Sequence, residues 1–291
     1  MKKILSVLSV IMAVSMFTNA QSVDLGIKGG LTIPNLSSGG EVTPLSDNYS
    51  SILAGGGGVF VDVHFSHLFS LTTGLEYSRQ GGQKDGVQAL PAAPIYTNAI
   101  AANPSFAGLT PFMPKDYLYA DFKSEPQFDY LMLPVQARFG WNFTKTSPFR
   151  VYVSAGIFGS YLMDARRISK GESQFYADEN ATALKQYATA NYGNILNVMD
   201  PMQSAMILGG IDAFGKNVND LNQTENITND IHRFNFGFIG NVGISYRFAT
   251  KNSIFIEGGG NYGLLNIQKD TANGQNRIGA ANVMIGYSYL L

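Results

Sequence analysis

The chain has 291 residues, no cysteine and a formal net charge of −1, and only 14% of its residues are charged. The lack of thiols excludes disulfide bonds and cysteine-based metal sites or nucleophiles, and the near-neutral charge gives no basic surface for a nucleic-acid partner. The low charge, with 32 glycines, 19 Phe and 15 Tyr, favours a sheet with little water on one face.

The N-terminus has the three parts of an export signal. Lys2 and Lys3 give it a positive start, residues 4–17 are apolar, and Ala20 ends a short polar segment. The apolar run is shorter than the roughly 20 residues of a spanning helix, so a membrane anchor is the weaker alternative. The pattern predicts a signal peptide over residues 1–20 and a mature domain over 21–291. An exported chain of this composition is either a soluble β protein or a barrel of the outer membrane.

Eight runs alternate apolar and polar residues with a period of two. In chain order they span residues 22–32, 53–65, 69–80, 130–141, 151–161, 233–248, 254–265 and 281–291. Their apolar faces carry no charge before Arg79 at a rim, and the opposite faces are mostly Gly, Ser and Asn with a few charges. A soluble sandwich would show a water-facing side rich in Lys, Glu and Thr. The alternation therefore predicts an all-β fold, an eight-stranded antiparallel up-and-down transmembrane β-barrel.

The connections between these runs alternate in length. Those over 66–68, 142–149 and 249–253 are short, whereas the long ones include residues 81–126 and 164–232. Outer-membrane barrels have short periplasmic turns and long outer loops. The lengths predict a periplasmic N-terminus and two large extracellular loops. Residues 204–215 remain open between a short helix and an extra strand, which would make ten.

Aromatic residues fall at the two rims of this topology, where they are expected to meet outer-membrane lipid as interfacial girdles. The periplasmic set is Phe65, Phe69, Trp141, Phe248 and Tyr289, and the outer set is Tyr77, Tyr161, Phe234, Phe236 and Tyr262.

Several strand motifs resemble those of PorT-type outer-membrane β-barrel proteins, the outer membrane protein beta-barrel domain family. They are "LGIKGGLTIPNL", "YLMLPVQARF", "VYVSAGIFGSYL" and "IEGGGNYGLLNI", scattered over residues 22–291. The resemblance implies an eight-stranded barrel in the outer membrane of a Gram-negative bacterium, and its namesake branch implies a link to protein secretion. Gly259 stands where the family usually has a basic residue. Pro134, which matches the family motif, lacks a ladder donor and predicts a bulge.

The inward faces carry charges at defined heights. An eight-stranded barrel is just wide enough to be filled by side chains, and buried charges must be paired. We therefore predict a polar network that closes the lumen, with an ion or proton path as the alternative. Its predicted members are Asp24, Lys28, Asp62, His64, Glu76, Arg138, Arg247 and Glu257.

The long loops are predicted to carry the function, because loops of this length are usually functional or disordered. The aromatic residues of 81–126 form either a surface patch or a cap packed over the barrel. Arg166, Arg167 and Lys170 at the outer rim are candidates for contact with lipopolysaccharide phosphates, with a solvated rim as the alternative.

The predicted function is non-catalytic, in envelope architecture or surface interaction. The alternatives are a component of a protein secretion system and a lipid-modifying enzyme, for which only His232 lies at the outer end. No cofactor, metal site or catalytic residue is predicted. The expected partners are outer-membrane lipid, lipopolysaccharide, secretion-system proteins and the barrel-assembly machinery. The last run, with Leu291 where an aromatic residue is more usual, resembles the signal that this machinery reads. It is predicted to pair with residues 23–31 and close the barrel.

Overall fold

Eight long antiparallel strands form a closed ring in the computed structural model, which describes residues 22–40, 42–144, 146–270 and 274–291. The predicted signal peptide lies outside the described residues. In ring order the strands are β1 (Ser22–Ser38), β2 (Ala54–His64), β3 (Phe69–Gly81), β5 (Tyr117–Asn142), β6 (Phe149–Lys170), β10 (Phe234–Ala249), β11 (Asn252–Gly263) and β12 (Asn276–Leu290). The predicted eight-stranded antiparallel barrel is confirmed.

The ring is closed by its first and last strands. β12 pairs with β1 in a continuous register that includes Leu25 opposite Tyr289 and Leu31 opposite Val283. The predicted pairing of the last run with residues 23–31 is therefore confirmed. Closure removes both sheet edges, whose unpaired amide and carbonyl groups could not be solvated in lipid.

Side chains alternate between the outside and the lumen along every wall strand. Ile27, Ile157 and Ile285 point outward and are 59%, 59% and 66% exposed. Inward positions are buried and many are polar, as at Gln136 and Ser154. A belt of exposed branched apolar residues around an interior with many buried polar groups is the reverse of a soluble domain and matches a lipid-facing wall.

The two ends of the barrel differ. The turns over 65–68, 143–148 and 250–251 lie at the same end as the start of β1 and the end of β12, which we call the turn end. The long connections lie at the opposite end, the loop end. The alternation of short and long connections follows from this up-and-down order.

Two strands continue beyond the barrel at the loop end. Residues 117–124 of β5 pair with β4 (Lys84–Pro91), and residues 166–169 of β6 pair with β9 (Gln223–Asn226). Parts of the predicted loops 81–126 and 164–232 are therefore strands. Buried residues at Leu118, Ala120 and Phe122 alternate with more exposed residues in this part of β5. The sequence alone does not show this alternation, because the intervening Tyr117 and Tyr119 are themselves partly apolar.

The remaining elements all belong to this outer part. They are β7 (Glu172–Ser173), β8 (Asn219–Asp220), helices α1 (Ala92–Ala102), α2 (Leu184–Leu196) and α3 (Pro201–Lys216), and two 3₁₀ turns, Pro104–Gly108 and Thr110–Phe112. Asp200 caps α3 by accepting hydrogen bonds from the amides of Met202 (2.9 Å) and Gln203 (3.2 Å), and Pro201 occupies the first turn. The helical reading of residues 204–215 is thus confirmed and the extra strand is wrong. Among the described residues, no helix combines the length and the apolar character that a membrane crossing requires.

The outer elements share a hydrophobic core of their own, and we call residues 85–123 and 170–222 the cap. Its buried residues are Ala92, Leu109, Met113, Leu118, Ala120, Phe122, Phe175, Ala177, Leu184, Ala188, Ile211 and Phe214. Phe214 is central, with ring centroids 5.5 Å from Phe106, 5.8 Å from Phe175 and 6.2 Å from Tyr96. Loop aromatics such as Tyr96 and Phe106 therefore pack into a cap rather than forming an open patch.

The predicted bulge at Pro134 is wrong. The β3–β5 register is the same at Thr73 opposite Val135 and at Glu76 opposite Met132, and the ladder is interrupted between these two described pairs. Because proline has no amide hydrogen to donate, the β3–β5 ladder is interrupted near Pro134, but the register of the two strands does not shift. The register shift falls instead between β5 and β6, where Met163 is the extra residue.

Candidate functional site in the barrel lumen

A buried lysine joins two carboxylates in the middle of the lumen. Lys28 Nζ lies 2.8 Å from Glu76 Oε1 and 2.9 Å from Glu257 Oε1. The three side chains come from β1, β3 and β11, so the contacts bridge the barrel interior. The Lys28 side chain is 7% exposed and that of Glu257 is 1% exposed. Charges this deeply buried are tolerated because each has an opposite partner.

Glu257 connects this centre to an arginine nearer the turn end. Its Oε2 accepts a hydrogen bond from the Tyr152 hydroxyl (2.9 Å) and lies 3.8 Å from Arg138 Nη2. Arg138 Nη1 donates to Asp62 Oδ2 at 3.0 Å. The guanidinium also lies over the Tyr152 ring, 4.4 Å from its centroid, an attractive cation–π contact.

The network ends at two aspartates and a histidine. Asp24 faces Asp62 directly across the β1–β2 pair, and His64 is two residues along β2 on the same face. His64 Nε2 lies 3.2 Å from Asp24 Oδ2 and 3.7 Å from Asp62 Oδ2. Thr72 donates to Asp62 Oδ1 at 2.9 Å. A continuous set of contacts thus joins seven of the eight predicted lumen residues.

Arg247 is the exception. It is exposed and makes no salt bridge with the other seven among the described residues. It lies at the end of β10, next to a register shift, and lines a cavity of about 650 Å³ that opens at the turn end. Arg150 and His67 line the same cavity. Arg247 is therefore corrected from a network member to a residue of the cavity mouth.

The loop-end half of the lumen contains a buried apolar cluster beside buried polar residues such as Gln80 and Asn235. Inward-facing residues from the wall meet residues of the long connections in a buried cluster, the apolar plug: Leu36, Phe128, Tyr130, Met132, Phe158, Leu162, Ala165, Ile227, Ile231, Ile239, Ile267 and Ile278. The polar network and the apolar plug occupy successive parts of the interior, and the cavity opens from the network to the turn end. The plug was not predicted from the sequence, because the inward faces are mostly Gly, Ser and Asn, although Tyr130 and Met132 occupy inward positions.

Two inward phenylalanines each face a glycine across a strand pair. Phe60 lies opposite Gly26 and Phe255 opposite Gly286, and the two rings pack edge to face with centroids 5.5 Å apart. A Cβ atom on Gly286 would overlap the Phe255 ring and lie 2.7 Å from the Ile27 carbonyl oxygen.

Gly286→Val is therefore expected to lower the free energy of unfolding by about 1–3 kcal/mol, as overpacked cores do. Urea unfolding of the barrel in lipid vesicles measures it. Gly159→Val is the matched control, because its Cβ would have no atom within 4 Å. An equal loss in both variants would contradict the packing argument.

The predicted girdle residues lie on the outer face at two heights. At the loop end, Tyr77, Leu131, Tyr161 and Phe234 follow one another across neighbouring strands, and the rings of Tyr161 and Phe234 are 5.1 Å apart. At the turn end, Phe69 stacks between Phe65 and Phe139, with centroids 5.8 Å and 5.3 Å away. The other predicted members, Trp141, Phe236, Phe248, Tyr262 and Tyr289, are exposed as well. Their contact with lipid stays a prediction.

The three basic residues proposed for lipopolysaccharide do not form one cluster. The extra residue Met163 reverses the alternation of β6, so Arg167 lies on the opposite face of the strand from Arg166 and Lys170. Arg166 Nη2 lies 3.5 Å from Asp129 Oδ2, and Arg79 Nε donates to Asp129 Oδ1 at 2.7 Å. Asp129 thus lies between two arginines on the outer face. Contact of these arginines with lipopolysaccharide stays a prediction.

Comparisons place this architecture among known proteins. A family model described as outer membrane protein beta-barrel domain matches residues 19–269. Similar solved structures include a major outer membrane protein from Thermus thermophilus (11% identity, 93% of this chain and 98% of that chain, TM-score 0.39). OprG from Pseudomonas aeruginosa is 9% identical (94% and 99%, TM-score 0.34), and the outer membrane protease OmpT from Escherichia coli is 8% identical (94% and 97%, TM-score 0.30). The comparison with curated proteins finds no match.

Proposed function

This chain belongs to the outer membrane protein beta-barrel domain family, and from that premise we propose that it is a closed, non-catalytic barrel that presents its cap at the cell surface. The turn end would face the periplasm and the loop end the exterior. The cap would act in surface interaction or envelope architecture.

One observation carries this proposal: among the described residues, the cap has a hydrophobic core that is separate from the apolar plug of the lumen. Every buried residue of the cap core lies within residues 85–123 and 170–222, and every residue of the apolar plug lies outside them. This separation supports a barrel that its own side chains close without the cap as a lid. A folded unit raised on extensions of β5 and β6 is suited to contact with other molecules.

The topology supplies a variant that separates the two units. Lys84 pairs with Ser124 and Ser169 pairs with Gln223, so an Asn-Gly turn can replace residues 85–123 and another can replace residues 170–222. We expect this cap-excised barrel to fold, and we expect both it and the full chain to be non-conducting in planar bilayers. Wide-channel conductance in either protein would overturn the closed-barrel proposal.

The orientation is tested on intact cells with single thiols, because the chain has no cysteine. Val198→Cys in the cap, at a site that is 84% exposed, is expected to react with a membrane-impermeant maleimide. Thr144→Cys, also exposed but at the turn end, is the matched control and should react only after the outer membrane is opened. The reverse pattern would contradict surface display.

The narrower PorT-type assignment rests on the strand motifs, chiefly "YLMLPVQARF". It supports a secretion role as a second candidate. In that case a deletion strain would retain secreted cargo in its periplasm, and the cap-excised barrel would show whether the cap takes part.

A further inference from the structure

We infer that Asp24, Asp62 and His64 form a binding site for one divalent transition-metal ion, with the chemistry of Zn²⁺, at the turn end of the lumen. This goes beyond the proposed function, in which these residues only fill the interior.

The register of two strands creates the donor set. The donor atoms of Asp24, Asp62 and His64 all lie within 4.8 Å of one another. Neighbouring donors around a tetrahedral Zn²⁺, at metal–ligand distances of about 2.0–2.1 Å, are about 3.3 Å apart. The spacing of 3.2 Å from His64 Nε2 to Asp24 Oδ2 matches such an edge, and the spacing of 3.7 Å to Asp62 Oδ2 is longer. A mixed imidazole and carboxylate set suits Zn²⁺ better than Ca²⁺, which takes oxygen ligands alone.

The charge of the network also favours a cation. Its contacts join four carboxylates, Asp24, Asp62, Glu76 and Glu257, to two cations, Lys28 and Arg138. With a neutral His64, a divalent ion would balance this set. Arg150 and Arg247 line the same cavity nearer its mouth, and in the described chain neither forms a salt bridge with these carboxylates. Arg150 is half-buried and interacts with the charges of Asp62 and Asp24, so it offsets part of their negative charge without contacting them directly.

Acceptor capacity is available for a metal. Asp24 Oδ1 is buried and has no hydrogen-bond partner among the described residues. Asp62 Oδ2 accepts from Arg138, but a carboxylate oxygen has two lone pairs, and the second can face His64. The cavity of about 650 Å³ is lined by all three residues, so water from the turn end can complete the coordination. Zinc sites with three protein ligands use water in this way.

The same three residues could instead make only a histidine–aspartate hydrogen bond, and metal titration separates the two cases. The full chain is folded in detergent, stripped with a chelator and titrated with Zn²⁺ alone in a calorimeter. We expect one ion per chain, and at least about tenfold weaker binding in Asp24→Asn and in His64→Gln. His232→Gln, at an exposed loop-end histidine, is the matched control and should bind as the wild type does. An absence of binding, or equal binding in all four proteins, would overturn the site.

A measurement on the wild type does not depend on the folding of any variant. The chain has three histidines, so imidazole NMR resonances can be assigned with His67→Gln and His232→Gln. Zn²⁺ is expected to shift the His64 resonances alone, and the same concentration of Ca²⁺ to leave them unchanged. A shift at His67 or His232 instead, or no shift, would refute the assignment.

Discussion

Replacing Lys28 by methionine is expected to lower the free energy of unfolding by about 3–5 kcal/mol, the usual effect of removing one partner of a buried ion pair. Lys28 is the shared partner of Glu76 and Glu257, and both contacts are shorter than 3.0 Å. Methionine keeps much of the side-chain volume but leaves two carboxylates in the lumen without that cation. Urea unfolding in lipid vesicles, followed by the fluorescence of the single tryptophan, Trp141, measures the change.

Two further variants separate charge from packing. Lys170→Met removes an exposed lysine and should leave the unfolding midpoint almost unchanged. The triple variant Lys28→Met, Glu76→Gln and Glu257→Gln removes the charges together, and should recover most of the loss because no unpaired charge remains. If the triple variant is no more stable than Lys28→Met alone, the loss comes from packing and the ion-pair argument fails.

The barrel wall was predictable because its physical cause is local. Two-residue alternation, as at Ile27 and Lys28, places one side chain in lipid and the next in the lumen wherever the strand lies. The same two-residue alternation identified seven residues of the polar network from the sequence, without knowledge of which strands pair. It also distinguished Glu257, on an inward position, from its outward neighbour Ile256.

What could not be predicted depends on pairing between distant residues. Asp24 is brought opposite Asp62 by the β1–β2 register, and no spacing in the sequence encodes that contact. The reversed alternation after Met163 arises from a register shift against β5, so the direction of Arg166 could not be read from its position. At Pro134 the sequence predicted a bulge because proline lacks an amide donor, but the pairing of β5 with β3 and β6 keeps the same register there.

Deleting residues 287–291 is expected to abolish assembly of the barrel, which is the largest effect predicted for any change in the wall. These residues pair with both neighbours, as Tyr289 does with Leu25 of β1 and Asn252 of β11. The amide of Leu290 also donates to the Lys251 carbonyl (2.8 Å), and that of Leu291 to the Val23 carbonyl (2.9 Å). Without them, backbone groups of β1 and β11 would lie unpaired in the membrane, where each unsatisfied group costs several kcal/mol.

The measurement is the fraction of chain that is membrane-inserted and migrates as a folded, heat-modifiable species. Deletion of residues 197–201, which connect α2 to α3 and include the first residue of α3, is the control of equal length. It should leave assembly intact because the cap core is separate from the wall. The paired exchange Ser288→Tyr with Tyr289→Ser keeps the length but reverses the alternation, placing a large ring in the lumen and a hydroxyl in lipid. It should assemble poorly, because a strand whose faces are exchanged cannot satisfy both environments. Normal insertion of the 287–291 deletion would show that β12 does not close the barrel.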